Sequence, residues 1–183
     1  MALSLTACAG SGTPGPLDRF EATLARHASA TAALGEWCAG EGIAAAPDIR
    51  AVPVIGQDRA PGAEVLAALG TEPGERIGYR HVRLMCGGIV LSQAHNWYVP
   101  ARLTEAMNRT LETSDTPFGK VAAPLGYVRE ERPARRGRSA SCPEGTVLTR
   151  GAILRLPDGR PISVVVECYT SAILAARPAS RAS

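Results

Sequence analysis

The chain has 183 residues, of which 45% are hydrophobic and 20% are charged. This length and composition fit one globular domain with a sizeable core, and they exclude a fibrous or intrinsically disordered protein. The net charge is +3, and the arginine-rich segment 129–138 carries an excess of that size by itself. We therefore predict no nucleic-acid partner, and no apolar run approaches the roughly 20 residues that span a bilayer.

The N-terminus resembles the end of a bacterial lipobox. Residues 5–8 read Leu-Thr-Ala-Cys, which would make Cys8 a lipidated residue and a membrane anchor. The rest of an export signal is missing, because few residues precede Cys8 and none is Lys or Arg. Either the true start lies upstream, which predicts a periplasmic or membrane-anchored lipoprotein, or the match is accidental and the protein is cytoplasmic.

The domain boundaries follow from this segment and from composition. We interpret residues 1–15 as a truncated export segment with a flexible tether, residues 16–176 as one domain, and residues 177–183 as a disordered tail.

Four further cysteines, Cys38, Cys86, Cys142 and Cys168, leave two alternatives open. An oxidising compartment could pair them in three ways, whereas the cytosol would keep them reduced. None has C-x-x-C spacing, so we predict no metal site.

The first part of the chain indicates helices around one strand. Residues 16–40 carry an apolar stripe interrupted at 27–31, which predicts two helices meeting there. Residues 48–55 alternate as a strand, and Pro53 favours an edge position. Residues 61–69 predict a short helix ending at Gly70.

Two strands, 76–86 and 89–99, follow and are joined at a Gly-Gly turn, which predicts a hairpin. Alternation places Val82 and Leu84 on one face of the first strand and His81 and Arg83 on the other. Two cationic groups on one strand face are usually in solvent and less often in an anion pocket.

The central stretch 91–119 begins as a strand, turns at Pro100 and becomes a helix with Leu103, Met107 and Leu111 on one face. A second, shorter helix follows, with Pro117 at its first position. The Thr-Pro-Phe-Gly corner at 116–119 either closes a core or lines a pocket.

The last third predicts a strand at 125–131, a solvated polar loop at 132–145 and a second hairpin from 146–156 to 161–174. Glu167 lies in an apolar run of the last strand. An ionised carboxylate there is costly unless it is paired, so Glu167 lies either at a strand end in water or in a functional cavity.

The order of these elements resembles the chorismate pyruvate-lyase-like family, from about residue 17 to residue 169. The resemblance depends on YRHVRLMC at 79–86, on TPFG at 116–119 and on Gly-Arg-Pro at 159–161 followed by Glu167. The pattern NWYVP…MN…TPFG is similar to a bacterial branch of that family that often carries export signals. It implies an α+β fold, with an antiparallel sheet of about six strands covered by helices.

The resemblance also implies an activity, the elimination of pyruvate from chorismate to give 4-hydroxybenzoate without a metal or organic cofactor. Glu167 corresponds to the family's pocket glutamate, Phe118 to a residue that packs beside the ligand, and Ala30 to a ligand-contacting methionine. His81 takes the position of the family's carboxylate-binding arginine, and Arg83 lies on the same strand face. Glu167 and Arg83 would then be catalytic, and all five residues would bind substrate.

Three classes of function are compatible with these patterns. The first is a carbon–oxygen lyase, and the second is an exported, non-catalytic protein that binds a small aromatic or cyclic carboxylic acid in the same pocket. The third is the ligand-sensing half of a transcription regulator, which we discount because few residues are free for a DNA-binding domain ahead of the sheet. We expect a monomer.

Overall fold

The computed structural model describes residues 13–175, which form an α+β domain. The strands are β1 (Ile49–Pro53), β2 (Gly78–Cys86), β3 (Ile89–Tyr98), β4 (Val128–Glu131), β5 (Arg135–Arg136), β6 (Thr146–Arg155) and β7 (Pro161–Thr170). The α-helices are α1 (Pro16–Ala25), α2 (Ala30–Gly40), α3 (Ala63–Leu69), α4 (Glu105–Thr113) and α5 (Phe118–Ala122).

The strands form one antiparallel sheet in the order β1-β2-β3-β7-β6-β4, and β5 pairs with β6 outside this path. The predicted fold class, an antiparallel sheet covered by helices, is confirmed. β1 lies at an edge, as Pro53 predicted, because a proline cannot donate a ladder hydrogen bond.

Helices α1 and α2 cover one face of the sheet, here called the inner face. Their apolar stripes bring Phe20, Leu24 and Leu34 against Val82 and Leu84 of β2 in the largest core cluster. Burying five such side chains stabilises the fold by about 1.5–3 kcal/mol each before the entropy of ordering them is subtracted.

Helices α4 and α5 cover another part of the sheet in a second cluster, where Leu111 and Phe118 pack near Tyr98 and Leu154. The opposite side of the sheet, here called the outer face, is covered in part by α3. Leu69 of that helix packs against Trp97, Val164 and Ile153.

Several predicted boundaries agree with the structure. The helical region divides between α1 and α2 at the predicted interruption, and β2 and β3 are joined by the Gly-Gly turn. Helix α3 ends at Gly70, whose φ of 51° lies in the left-handed region that only glycine adopts without strain.

Four predicted boundaries differ from the structure. Thr104 caps α4 by accepting from the Met107 N–H, so Leu103 precedes the helix. Pro117 is the N-cap of α5 rather than its first residue. The segment predicted as a loop contains β5, and β7 ends at Thr170, whose hydroxyl caps a 3₁₀ turn at 171–174.

Two disulfides join elements that are distant in the chain. Cys38–Cys86 connects α2 to the end of β2, and Cys142–Cys168 connects the loop before β6 to β7. This is one of the three pairings that the sequence left open.

The lipobox with Cys8 and the tail at 177–183 lie outside the described residues. Between residues 13 and 175, none of the helices combines the length and apolar character needed to cross a bilayer.

Candidate functional site

A cavity of about 60 Å³ lies between the inner face and the helices. Its walls are the α1–α2 junction at residues 29–31 and the corner at 117–119. The remaining lining residues are Arg80, Val82, Leu84, Ala94, Asn96, Tyr127, Arg129, Leu154, Val165 and Glu167. A water needs about 10–15 Å³ of such space, so the cavity has roughly the room of four or five waters, close to one six-membered ring.

Strand alternation determines which polar groups reach this cavity. Arg80 lies on the same face of β2 as Val82, and its partner across the ladder is Asn96 of β3. Ala94, which lies two residues before Asn96 in β3, is paired with Glu167 of β7. The three central strands therefore place a guanidinium, an amide and a carboxylate on one surface.

Glu167 is a buried carboxylate with 3% of its surface exposed. Its Oε2 accepts hydrogen bonds from Arg129 Nη2 at 2.9 Å and from the Tyr169 hydroxyl at 2.8 Å. Of the two environments left open for this residue, the structure shows a cavity. Because both bonds converge on Oε2, the other oxygen, Oε1, has no hydrogen-bond partner within the described chain.

The charge of the Glu167 carboxylate affects the pKa values of Arg129 and Tyr169. Burial alone lowers the pKa of Arg129, but attraction to Glu167 and the hydrogen bond to Glu131 outweigh it, so the pKa of Arg129 lies above its ordinary value. Burial, and then the nearby charge of Glu167, raise the pKa of the Tyr169 hydroxyl well above 10.0. Arg129 is therefore a fixed cation and Tyr169 a fixed donor.

Arg80 is the second buried cation of the cavity, with 8% of its surface exposed. It donates to the backbone oxygens of Ser114 and Thr116, both at 2.9 Å. Within residues 13–175 no carboxylate lies within ion-pair distance of it, unlike Arg129. Burial lowers the pKa of Arg80, and attraction to Tyr98 and Asp115 offsets this effect only in part.

The N-terminus of α2 adds positive potential to the same cavity. Ser29, Ala30 and Thr31, which form one wall, are the N-cap and the first two residues of that helix. The Ser29 side chain makes no capping hydrogen bond. The first N–H groups of a helix carry partial positive charge, so this wall favours an anion.

The structure brings together only part of the predicted site. Ala30, Phe118 and Glu167 line the cavity. His81 and Arg83 do not, because their side chains leave β2 on the outer face. The structure therefore does not bring these two residues together with Glu167 at the cavity.

The outer-face residues have different surroundings. Arg83 is exposed to solvent. His81 is buried and stacks on His95, with ring centroids 4.2 Å apart, and its Nε2 lies 3.1 Å from Gln93 Oε1. The helix-junction alanine and the outer-face histidine are thus on opposite sides of the sheet.

Arg80, Asn96 and Arg129 are cavity residues that the sequence analysis missed. Strand alternation could have indicated Arg80, since it shares a face with Val82. Asn96 likewise shares a face with Ala94, and its Oδ1 accepts a hydrogen bond from the Ser163 hydroxyl. Arg129 had no such signal, because its place depends on the pairing of β4 with β6.

No cluster of three or more His, Cys, Asp or Glu residues that could bind a metal ion occurs between residues 13 and 175.

The arrangement of strands and helices is the chorismate lyase-like fold, and two solved structures of PhnF share it. PhnF from Mycobacterium smegmatis has a TM-score of 0.57 at 12% identity, over 86% of this chain and 70% of that one. The effector domain of PhnF has a TM-score of 0.56 at 12% identity, over 79% and 90%. At this identity the likeness shows the fold.

The sequence comparison identifies the family. The chain is 38% identical over 177 residues to the uncharacterized protein y4mC of Sinorhizobium fredii, covering 86% of this chain and 75% of that protein. The chain belongs to the same family as y4mC. No protein-family model matches the sequence.

These findings correct the predicted identity. The assignment to an exported branch of the chorismate pyruvate-lyase-like family is wrong, since the structural matches are regulator domains and nothing in the comparisons supports a lyase, a periplasmic location or a lipoprotein. The expectation of no nucleic-acid partner also lacks support from these matches. The fold is that of the class that the sequence analysis discounted.

Proposed function

We propose that the protein is a binding module that holds a small aromatic or cyclic carboxylic acid in the inner-face cavity. The observation that carries this proposal is Arg80, a buried guanidinium without a carboxylate partner among residues 13–175. A buried unpaired cation is costly, and a bound carboxylate would compensate it. Likeness in fold to the effector domain of PhnF supports the same class of function.

The other cavity groups suit the rest of such a ligand. The apolar side chains of Phe118, Val165 and Leu154 form a surface on which a ring packs. Oε1 of Glu167 can accept a hydrogen bond from a ligand hydroxyl, and the first N–H groups of α2 add to the attraction for the acid group.

The geometry supports binding without turnover. Glu167 accepts hydrogen bonds from two buried donors and is paired with Arg129 at 2.9 Å. A carboxylate held in this way acts as an acceptor and an orienting group, which suits recognition better than proton donation.

Titration calorimetry with benzoate, 4-hydroxybenzoate and cyclohexanecarboxylate tests the proposal, with benzamide as the uncharged control. We expect the carboxylates to bind and benzamide not to bind. Arg80→Lys keeps the charge and loses the planar fork, so its affinity should fall about 10-fold to 100-fold, since a hydrogen bond to a charged group contributes about 1.5–3 kcal/mol.

Arg83→Lys is the matched control, because Arg83 lies on the same strand but on the outer face. It should bind as the unchanged protein does, and circular dichroism should show both variants folded. Absence of binding by every carboxylate, or equal loss in the two variants, would refute the proposal.

A further inference from the structure

A surface groove of about 420 Å³ adjoins the cavity. Sites for small molecules in proteins usually measure about 300–1,000 Å³, whereas the cavity alone measures about 60 Å³. The cavity can therefore enclose only the acidic ring of a ligand of ordinary size. The groove supplies the missing volume.

The cavity and the groove share four lining residues, Ser29, Thr31, Gly119 and Tyr127. The partition is thin where the Tyr127 hydroxyl donates to the Gly119 oxygen at 3.5 Å. A Cβ on Gly119 would lie 3.0 Å from that hydroxyl and 3.5 Å from Ser29 Oγ. The space above the Gly119 Cα is thus filled by the Tyr127 and Ser29 side chains, which line both the cavity and the groove.

The floor of the groove is apolar and made of small residues. Ala32 and Gly35 of α2 form one side, and Pro47 and Ile49 lie beside them. A Cβ at Gly35 would lie 3.9 Å from the Pro47 oxygen and 4.0 Å from Ile49 Cγ1, which are ordinary van der Waals distances, so a small side chain fits here without strain. Small apolar side chains around open space suit an alkyl or aryl group rather than a charged one.

Charged groups occur only at the outer limit of this groove among its lining residues. Lys120 and Asp48 are both exposed and form an ion pair at 3.5 Å. Because they compensate each other in solvent, they offer no unpaired charge to a ligand.

We infer that the natural ligand is a carboxylic acid with an uncharged apolar substituent, whose ring occupies the cavity and whose substituent lies in the groove between α2 and α5. This inference depends on the proposed function, because the substituent extends from a ring acid that the cavity holds. It names the class of ligand more narrowly: a substituted ring acid, not a simple one.

A matched series of ligands tests the inference: benzoate and its 3- and 4-ethyl, -butyl and -hexyl derivatives, measured by calorimetry. For substituents at the position that faces the groove, affinity should rise about threefold to fourfold with each added methylene until the groove is filled. No gain with chain length at either position would overturn the inference.

Gly35→Leu supplies the second measurement, because leucine would fill the groove and is a better helix former than glycine. It should abolish the gain from the alkyl chain while leaving benzoate affinity unchanged. Gly35→Ala is the control and should retain most of the gain, since its Cβ makes only ordinary contacts. Equal affinities of the Leu and Ala variants for butylbenzoate would contradict the inference.

Different results would refute the proposed function and the inference about the apolar substituent. If benzoate binds but the alkyl chains add nothing, only the extended ligand is refuted. If no member of the series binds, the proposed function fails and this inference fails with it.

Discussion

Glu167 and Arg129 form a buried ion pair beneath the cavity, at 2.9 Å. Removing one partner of such a pair costs about 3–5 kcal/mol, because the other charge stays buried without compensation. This pairing explains how a carboxylate is accommodated in the apolar run of β7. Arg80, by contrast, has no carboxylate within ion-pair distance among residues 13–175, although Asp115 attracts it at longer range.

His95 makes the stability of the protein sensitive to acid. Burial, then the charges of His81 and Arg59, lower the pKa of His95 from 6.5 to about 4. Between these values the unfolded chain binds a proton that the folded chain does not bind, so stability decreases as the pH falls. At about 1.4 kcal/mol per pKa unit, we expect a loss of at most about 3 kcal/mol.

Urea denaturation at pH 7 and at pH 4.5 measures this loss, with His95→Phe as the test variant. The variant removes the titrating ring, so its free energy of unfolding should change less between the two pH values than that of the unchanged protein. The variant also loses the hydrogen bond between His95 Nδ1 and the Tyr79 hydroxyl at 2.8 Å, which lowers stability at both pH values. An equal acid loss in both proteins would exclude His95 as the cause.

The residues of β2 show what sequence could predict at this scale. Alternation alone placed Val82 and Leu84 on the core face, and the structure agrees. Matching the family pattern instead selected His81, one residue from Arg80. A shift of one residue in a strand moves a side chain to the other face, and the structure has Arg80 in the cavity and His81 on the outer face.

Arg102, which ends a short 3₁₀ turn after β3, joins several elements by hydrogen bonds. It donates to both carboxylate oxygens of Glu75, at 2.9 and 2.5 Å, and to the backbone oxygens of Leu69 at 2.8 Å, Pro161 at 2.6 Å and Gly70 at 3.1 Å. These bonds connect the end of α3 to the start of β7. The planar guanidinium is needed because no other side chain offers five donors in this geometry.

Arg102→Lys should lower the free energy of unfolding by about 2–4 kcal/mol, since lysine retains one charge but leaves several buried acceptors unpaired. Arg160→Lys is the control: Arg160 pairs with Asp158 in solvent, and its loss should cost less than about 1 kcal/mol. Urea denaturation distinguishes the two. Similar small losses would show that the Arg102 contacts contribute little.

The sequence predicted which helices and strands are present more accurately than it predicted the residues at which each begins and ends. The Gly-Gly turn and the aspartate–glycine turn before β7 specify hairpins locally, and both hairpins are present. β5 has only two residues and exists because Arg135 and Arg136 pair with Leu148 and Thr149. No local pattern predicts such a pairing, since it depends on where β6 lies.

For the whole molecule, the cavity is harder to predict than the fold. Hydrophobic periodicity and turns determine the order of helices and strands, and that order defines the sheet. The cavity instead depends on side chains from α2, α5 and five strands that meet only after the chain has folded. Its central cation, Arg80, is recognisable only once the strand faces are known.

The two disulfides should contribute strongly to the stability of the whole domain, because each closes a long loop of the unfolded chain. Cys38–Cys86 spans 48 residues and Cys142–Cys168 spans 26, for which loop entropy predicts about 4 and about 3.5 kcal/mol. We expect Cys38→Ala/Cys86→Ala to lower Tm by about 8–16 °C and Cys142→Ala/Cys168→Ala by slightly less.

Calorimetry with and without dithiothreitol measures both effects. The unchanged protein should lose stability on reduction, and each double variant should lose only the contribution of its remaining disulfide. If reduction leaves Tm unchanged, the cysteines do not pair in solution, and the connection of α2 to β2 then depends on packing alone.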